Sequence, residues 1–220
     1  MLNYFTLTII AELSCLLVAI ICLSKDNVRI WHYFSAFLLI TVIAELTGIY
    51  LKRNHHPHNG WVYNILMVFE FAFINIMYVA IFRRYSIGKA IIISGFGLFA
   101  LLYTYEFLKH GLFEYNNLSY TTMSIILVIY ALFYYYDLMN NDNYIRIIYS
   151  AEFWWVTGGL FYYFGETACD LFYDKLQAVH IAFFHSLTYY IYNILNLLLY
   201  GCWSYSFICR KWLEKRSEIR

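Results

Sequence analysis

The chain has 220 residues, of which 62% are hydrophobic, 22% aromatic and 13% charged, with a single Pro and a formal net charge of +1. Its mean hydropathy is +0.57. This composition excludes an ordinary soluble domain, where about a quarter of residues are charged, and the near-neutral balance leaves no electrostatic footprint for nucleic acid or an acidic partner.

In chain order, seven apolar stretches stand out, at 4–23, 30–52, 61–82, 90–109, 118–139, 150–171 and 178–209. Most are about 20 residues long, enough to cross a hydrocarbon core of about 30 Å as helix. The first has no Lys or Arg before it and is too long and continuous for a cleaved leader, so it is expected to stay as a helix. The last is overlong and should tilt or project from the bilayer. Connections such as SKDNVR, RNHHPHNG and HGLFEYNN are short and polar, leaving no room for a soluble domain. The expected fold is therefore all-α: a single polytopic domain over 1–220 with seven transmembrane helices and a short basic tail at 209–220.

Counting Lys and Arg on alternate sides of seven spans gives eleven on one side and four on the other. The richer side should be cytoplasmic, which puts the N-terminus outside and the C-terminus inside. The string VYNIL at Val62–Leu66 recurs as IYNIL at Ile191–Leu195. With Glu45 and Glu166 in the preceding spans, this suggests a 3+1+3 arrangement with parallel repeats. Trp31, Trp61 and Trp212 at span ends read as interfacial anchors. Gly158, Gly159 and Gly165 would permit close helix packing. The cysteines fall within apolar segments without the paired spacing of a zinc or dithiol site.

Ionisable groups inside the spans carry the functional signal, because each costs several kcal/mol unless it faces a cavity or a partner. Counted from the outer span ends, Glu12, Glu45, Glu70, Glu166 and His185 fall roughly 8 to 13 Å below the surface, forming a layer. Thr121, Thr122 and Ser124 could line the fifth span beside it. His185, Asn193 and Asn196 lie near one face of the seventh, which should then point into the bundle.

Three readings follow. The carboxyls could serve only as hydrogen-bonding groups between helices; with His185 they could line an outward-facing pocket for a small polar or cationic ligand; or Glu70, Glu166 and His185 could hold a divalent metal. An intramembrane metal-dependent hydrolase of the alkaline ceramidase type would show several intramembrane His, including a pair on one face. Here His180 and His185 stand about 140° apart around the helix. The loop His55, His56 and His58 reads as a solvated turn. The last span has no Lys for a retinal linkage, no other cofactor is implied, and no nucleophile elbow, HExxH or phosphate-binding loop occurs. An enzyme is thus disfavoured and no catalytic residue is assigned.

YNILMVFEF in the third span, FWWVTGGLFYYFG in the sixth and FHSLTYYIYNILN in the seventh resemble an uncharacterised family of small seven-helix bacterial membrane proteins. In that family a Tyr-Asn pair precedes a mid-span Glu, here Asn64 and Glu70, and a His-Ser pair precedes an Asn, here His185, Ser186 and Asn193; the resemblance implies the architecture and an association with membrane signalling, and no activity. The expectation is an inner-membrane module whose ligand site comprises Glu12, Glu45, Glu70, Glu166, His185, Asn193 and Asn64. It would receive a small ligand from the outer side and act through a cytoplasmic or membrane signalling partner. A small-solute transporter is the alternative, and the hydrolase the next.

Overall fold

The structure is a computed structural model and describes residues 6–24, 26, 28–54, 59–82, 86–140, 147–178 and 187–218. Among these, seven long helices appear: α1 (Leu7–Leu23), α2 (Arg29–Arg53), α3 (Gly60–Ile81), α4 (Ser86–His110), α5 (Asn117–Asn140), α6 (Ala151–Leu171) and α8 (Leu187–Glu218). The short α7 (Tyr173–Ala178) precedes α8, and the described residues contain no strand.

Local chemistry sets several boundaries. Thr6 accepts the Ile9 amide at 3.3 Å and Ser150 accepts that of Phe153 at 3.3 Å, each occupying a donor that the first helical turn leaves free. Gly111, at φ 75°, ends α4 in the left-handed conformation that glycine adopts without a side-chain clash. Lys, Leu, Glu and Arg after Cys209 are good helix formers with no Gly or Pro among them. Helix α8 runs through the basic segment as far as Glu218.

Each long helix packs on its neighbour in sequence, and α8 closes a ring by lying between α6 and α1; α3 also touches α5 across the interior. Two glycines let α6 and α8 approach closely. A Cβ on Gly158 would stand 2.8 Å from that of Cys202, and one on Gly165 would stand 2.5 Å from Leu195 Cδ2, whereas Gly159 meets nothing nearer than 3.8 Å. Such close approach brings the two backbones into direct van der Waals contact.

The end of the ring where α1 stops and α2 starts is filled by aromatic rings. Phe37 stacks on Phe73 at 4.4 Å, Phe34 meets Trp203 and Phe207 edge-on, and Trp155 meets Tyr78 at 5.2 Å. Trp31, expected as an interfacial anchor, is only 4% exposed and joins this core. Its burial has a local cause. Arg210 lies with its guanidinium 5.7 Å from the Trp31 ring while its Nε and a terminal NH2 donate to the two oxygens of Asp26, at 2.7 and 3.2 Å. Trp212, by contrast, is exposed.

Outward faces carry large exposed apolar groups, among them Leu17, Ile43, Ile93, Leu101, Leu108 and Phe164. A soluble monomer does not spread apolar surface in this way. Four helices, over Arg29–Arg53, Gly60–Ile81, Lys89–His110 and Asn117–Asn140, are long and apolar enough to cross a membrane. α1 falls short at 17 residues, and α6 carries Glu152, Glu166 and Asp170 within its length. Length and composition thus mark four helices as able to cross a membrane, the signature of a membrane protein, and the other three long helices complete the ring.

Candidate functional site

Next to the aromatic core the ring encloses a cavity of about 90 Å³. Its walls come from α2 (Phe37, Leu38, Thr41, Glu45), α3 (Tyr63, Leu66, Met67, Glu70), α5 with its preceding loop (Tyr115, Tyr120), α6 (Tyr162) and α8 (Asn196, Leu199, Tyr200, Trp203). Phe37 and Trp203 also belong to the aromatic core, so the cavity has an aromatic floor. Helical spacing explains which residues arrive there: Phe37, Thr41 and Glu45 recur every four residues on α2, as do Leu66 and Glu70 on α3, and these positions share a face.

Glu70 accepts a hydrogen bond from the Tyr163 hydroxyl at 2.7 Å. Glu12, on α1, is fully buried, and neither of its carboxyl oxygens has a hydrogen-bond partner among the described residues. The hydroxyl of Tyr200 lies beside it, and Glu45 and Glu70 are within electrostatic reach. Three of the expected carboxyls thus gather around one cavity, two in its wall and the third near Tyr200.

Glu166 does not join them directly. It lies behind a tyrosine wall, accepting from Tyr120 at 2.5 Å, from Tyr162 at 3.3 Å and from Ser124 at 3.4 Å. Both tyrosines line the cavity, so Glu166 fixes the wall rather than faces the space. One helical turn further on, Asp170 repeats the pattern with Thr121 at 2.9 Å and Tyr192 at 3.3 Å. Two residues expected along the fifth span, Thr121 and Ser124, therefore serve as carboxyl partners on α5.

Asn64 points away to the α4–α5 loop. Its amide nitrogen donates to the carbonyls of Leu112 and Glu114 at 2.8 and 2.7 Å, and its oxygen accepts the Asn116 amide at 3.1 Å. The loop held in this way carries Tyr115 into the cavity wall. Glu106 secures the other side, accepting the amides of Leu118 at 3.1 Å and Ser119 at 2.7 Å together with the Ser119 hydroxyl, and so caps the start of α5 from α4. Asn193 faces α1, accepting from Thr8 at 3.3 Å while its amide nitrogen donates to the Tyr189 carbonyl at 2.7 Å. On α8 it is Asn196 that reaches the cavity.

His185, His180 and Ser186, and the loop His55, His56 and His58, lie outside the described residues. Among the described residues no three His, Cys, Asp or Glu side chains converge to hold a metal. Sequence reasoning assigned no site role to the tyrosines and so missed Tyr120, Tyr162, Tyr163 and Tyr200. The available signal was depth: Tyr162, Tyr163 and Tyr200 stand well inside their spans, where a phenol needs a partner. No family model, curated protein or solved structure matches this chain.

Proposed function

We propose that this protein is a ligand-binding sensory module of a bacterial inner membrane, with its N-terminus outside, its C-terminus cytoplasmic, and the cavity open toward the outer side. The observation that carries the reading is the cavity itself, in which Glu45 and Glu70 on adjacent helices share one aromatic-walled space. An ionisable group at this depth is retained where it serves a pocket or a path. The aromatic floor beneath favours a receptor over a transporter, because a path through the ring would have to part Phe37, Phe73 and Trp203. The repeat behind the transporter alternative draws no support from its two asparagines: Asn64 clamps a loop and Asn193 meets α1.

A signal has a route out along α8. This helix lines the cavity at Asn196, Tyr200 and Trp203 and continues through Arg210 to Glu218. At 32 residues it is about 48 Å long, well over the ~30 Å core, so its far end can meet a signalling partner.

Cysteine accessibility tests this reading. In a background with the native cysteines replaced by serine or alanine, Thr41→Cys should react with a membrane-impermeant thiol reagent added outside, and a fusion after residue 220 should report the cytoplasm. Labelling of that cysteine only from the cytoplasmic side would overturn the proposal.

A further inference from the structure

We infer that the ligand of this cavity is a small organic monocation of the ammonium class, an assignment that rests on the pocket reading above. The first argument is charge. Glu45 and Glu70 line the space, and no Lys, Arg or His is among the described residues that line it. Glu12, fully buried on α1, adds a third carboxyl beside Tyr200. An anion brought here would meet carboxyls from two walls with no compensating cation, whereas an ammonium group supplies the missing counter-charge where low polarity strengthens the attraction.

The second argument is the wall. Tyr63, Tyr115, Tyr120, Tyr162, Tyr200 and Trp203 surround the same space. Aromatic faces attract cations through the ring quadrupole, and cages of such rings are the usual receptors for alkylated ammonium groups, which cannot satisfy a ring of hard oxygen ligands. A bare divalent metal fits less well, since no three metal-ligating side chains converge among the described residues. The volume of about 90 Å³ sets the scale at a few heavy atoms.

The third argument is preorganisation. Tyr120 and Tyr162 are fixed by Glu166, Tyr115 rides on the loop that Asn64 and Glu106 secure, and Glu70 is held by Tyr163. A cage whose rings are already placed loses little side-chain entropy on binding.

The test uses the full chain in detergent and three probes: tetramethylammonium, choline, and 3,3-dimethylbutan-1-ol as the neutral isostere of choline. Calorimetry should give saturable binding of at least one cation, no binding of the alcohol, and affinity at least about tenfold lower in Glu70→Gln and in Glu45→Gln. Because either variant could fold poorly, a second measurement keeps both carboxyls. In Asn196→Cys the cation should slow thiol modification while the alcohol leaves it unchanged. Equal binding or equal protection by the alcohol would overturn the cation assignment, as would saturation by neither cation. In those cases the pocket reading stands or falls separately, on outside labelling of Thr41→Cys.

Discussion

Replacing Asn64 with Ala tests the link between a single buried amide and the form of the site. Asn64 is fully buried and bonds three backbone groups of the α4–α5 loop: the carbonyls of Leu112 and Glu114 and the amide of Asn116, itself a buried residue. Each buried polar group left unpaired costs about 1–3 kcal/mol. The loop lies at the end of the ring, where water can reach part of it, so the lower value applies and three groups give about 3 kcal/mol. For a chain of this size that corresponds to a fall in melting temperature of roughly 6–12 °C. The assay is thermal unfolding in detergent, with amide exchange across residues 111–119 as the local readout. Asn64→Asp should be no better, because a carboxyl group keeps the acceptor for Asn116 but loses both donors. A shift below about 2 °C in Asn64→Ala, or faster exchange spread evenly over the protein, would refute the clamp.

Further predictions follow from other contacts. Glu106→Ala removes the acceptor for two α5 amides and should cost about 2 kcal/mol, read as a lower melting temperature and faster exchange at Leu118 and Ser119. Asp26→Asn should cost about 2 kcal/mol through Arg210. Because the Asp26 side chain is wholly buried, that loss should persist at high salt, which melting at two ionic strengths checks. Gly158→Val should force α6 and α8 apart and cost about 3 kcal/mol, while Gly159→Ala, whose Cβ would meet only the Tyr163 ring at ordinary contact distance, should melt like the wild type.

The helices were legible because apolar runs of spanning length admit few alternatives in a chain this hydrophobic. The expected stretch 118–139 differs from α5 by one residue at each end. Tertiary relations were less legible, since the direction a side chain takes depends on helix rotation, which residue counting along the axis does not give. Counting depth brought Glu45 and Glu70 to one level, and the ring puts them on one cavity. It brought Glu166 to that level too, yet rotation of α6 turns Glu166 behind Tyr120 and Tyr162. The α8 boundary differed because its basic residues were read by charge, as a tail, when their helix propensity extends the helix through them.

The closure of the ring by α8 has a consequence for how the protein is made. Its two flanking neighbours, α1 and α6, lie earlier in the chain, so both leave the ribosome before the wedge that joins them. During that interval Thr8 and Glu12 on α1, and the close-packing glycines of α6, lack Asn193, Tyr200 and Cys202 as neighbours. The nascent protein thus passes through an open-sided stage in which these groups are uncovered, and a chain cut short before Leu187 would keep the ring open.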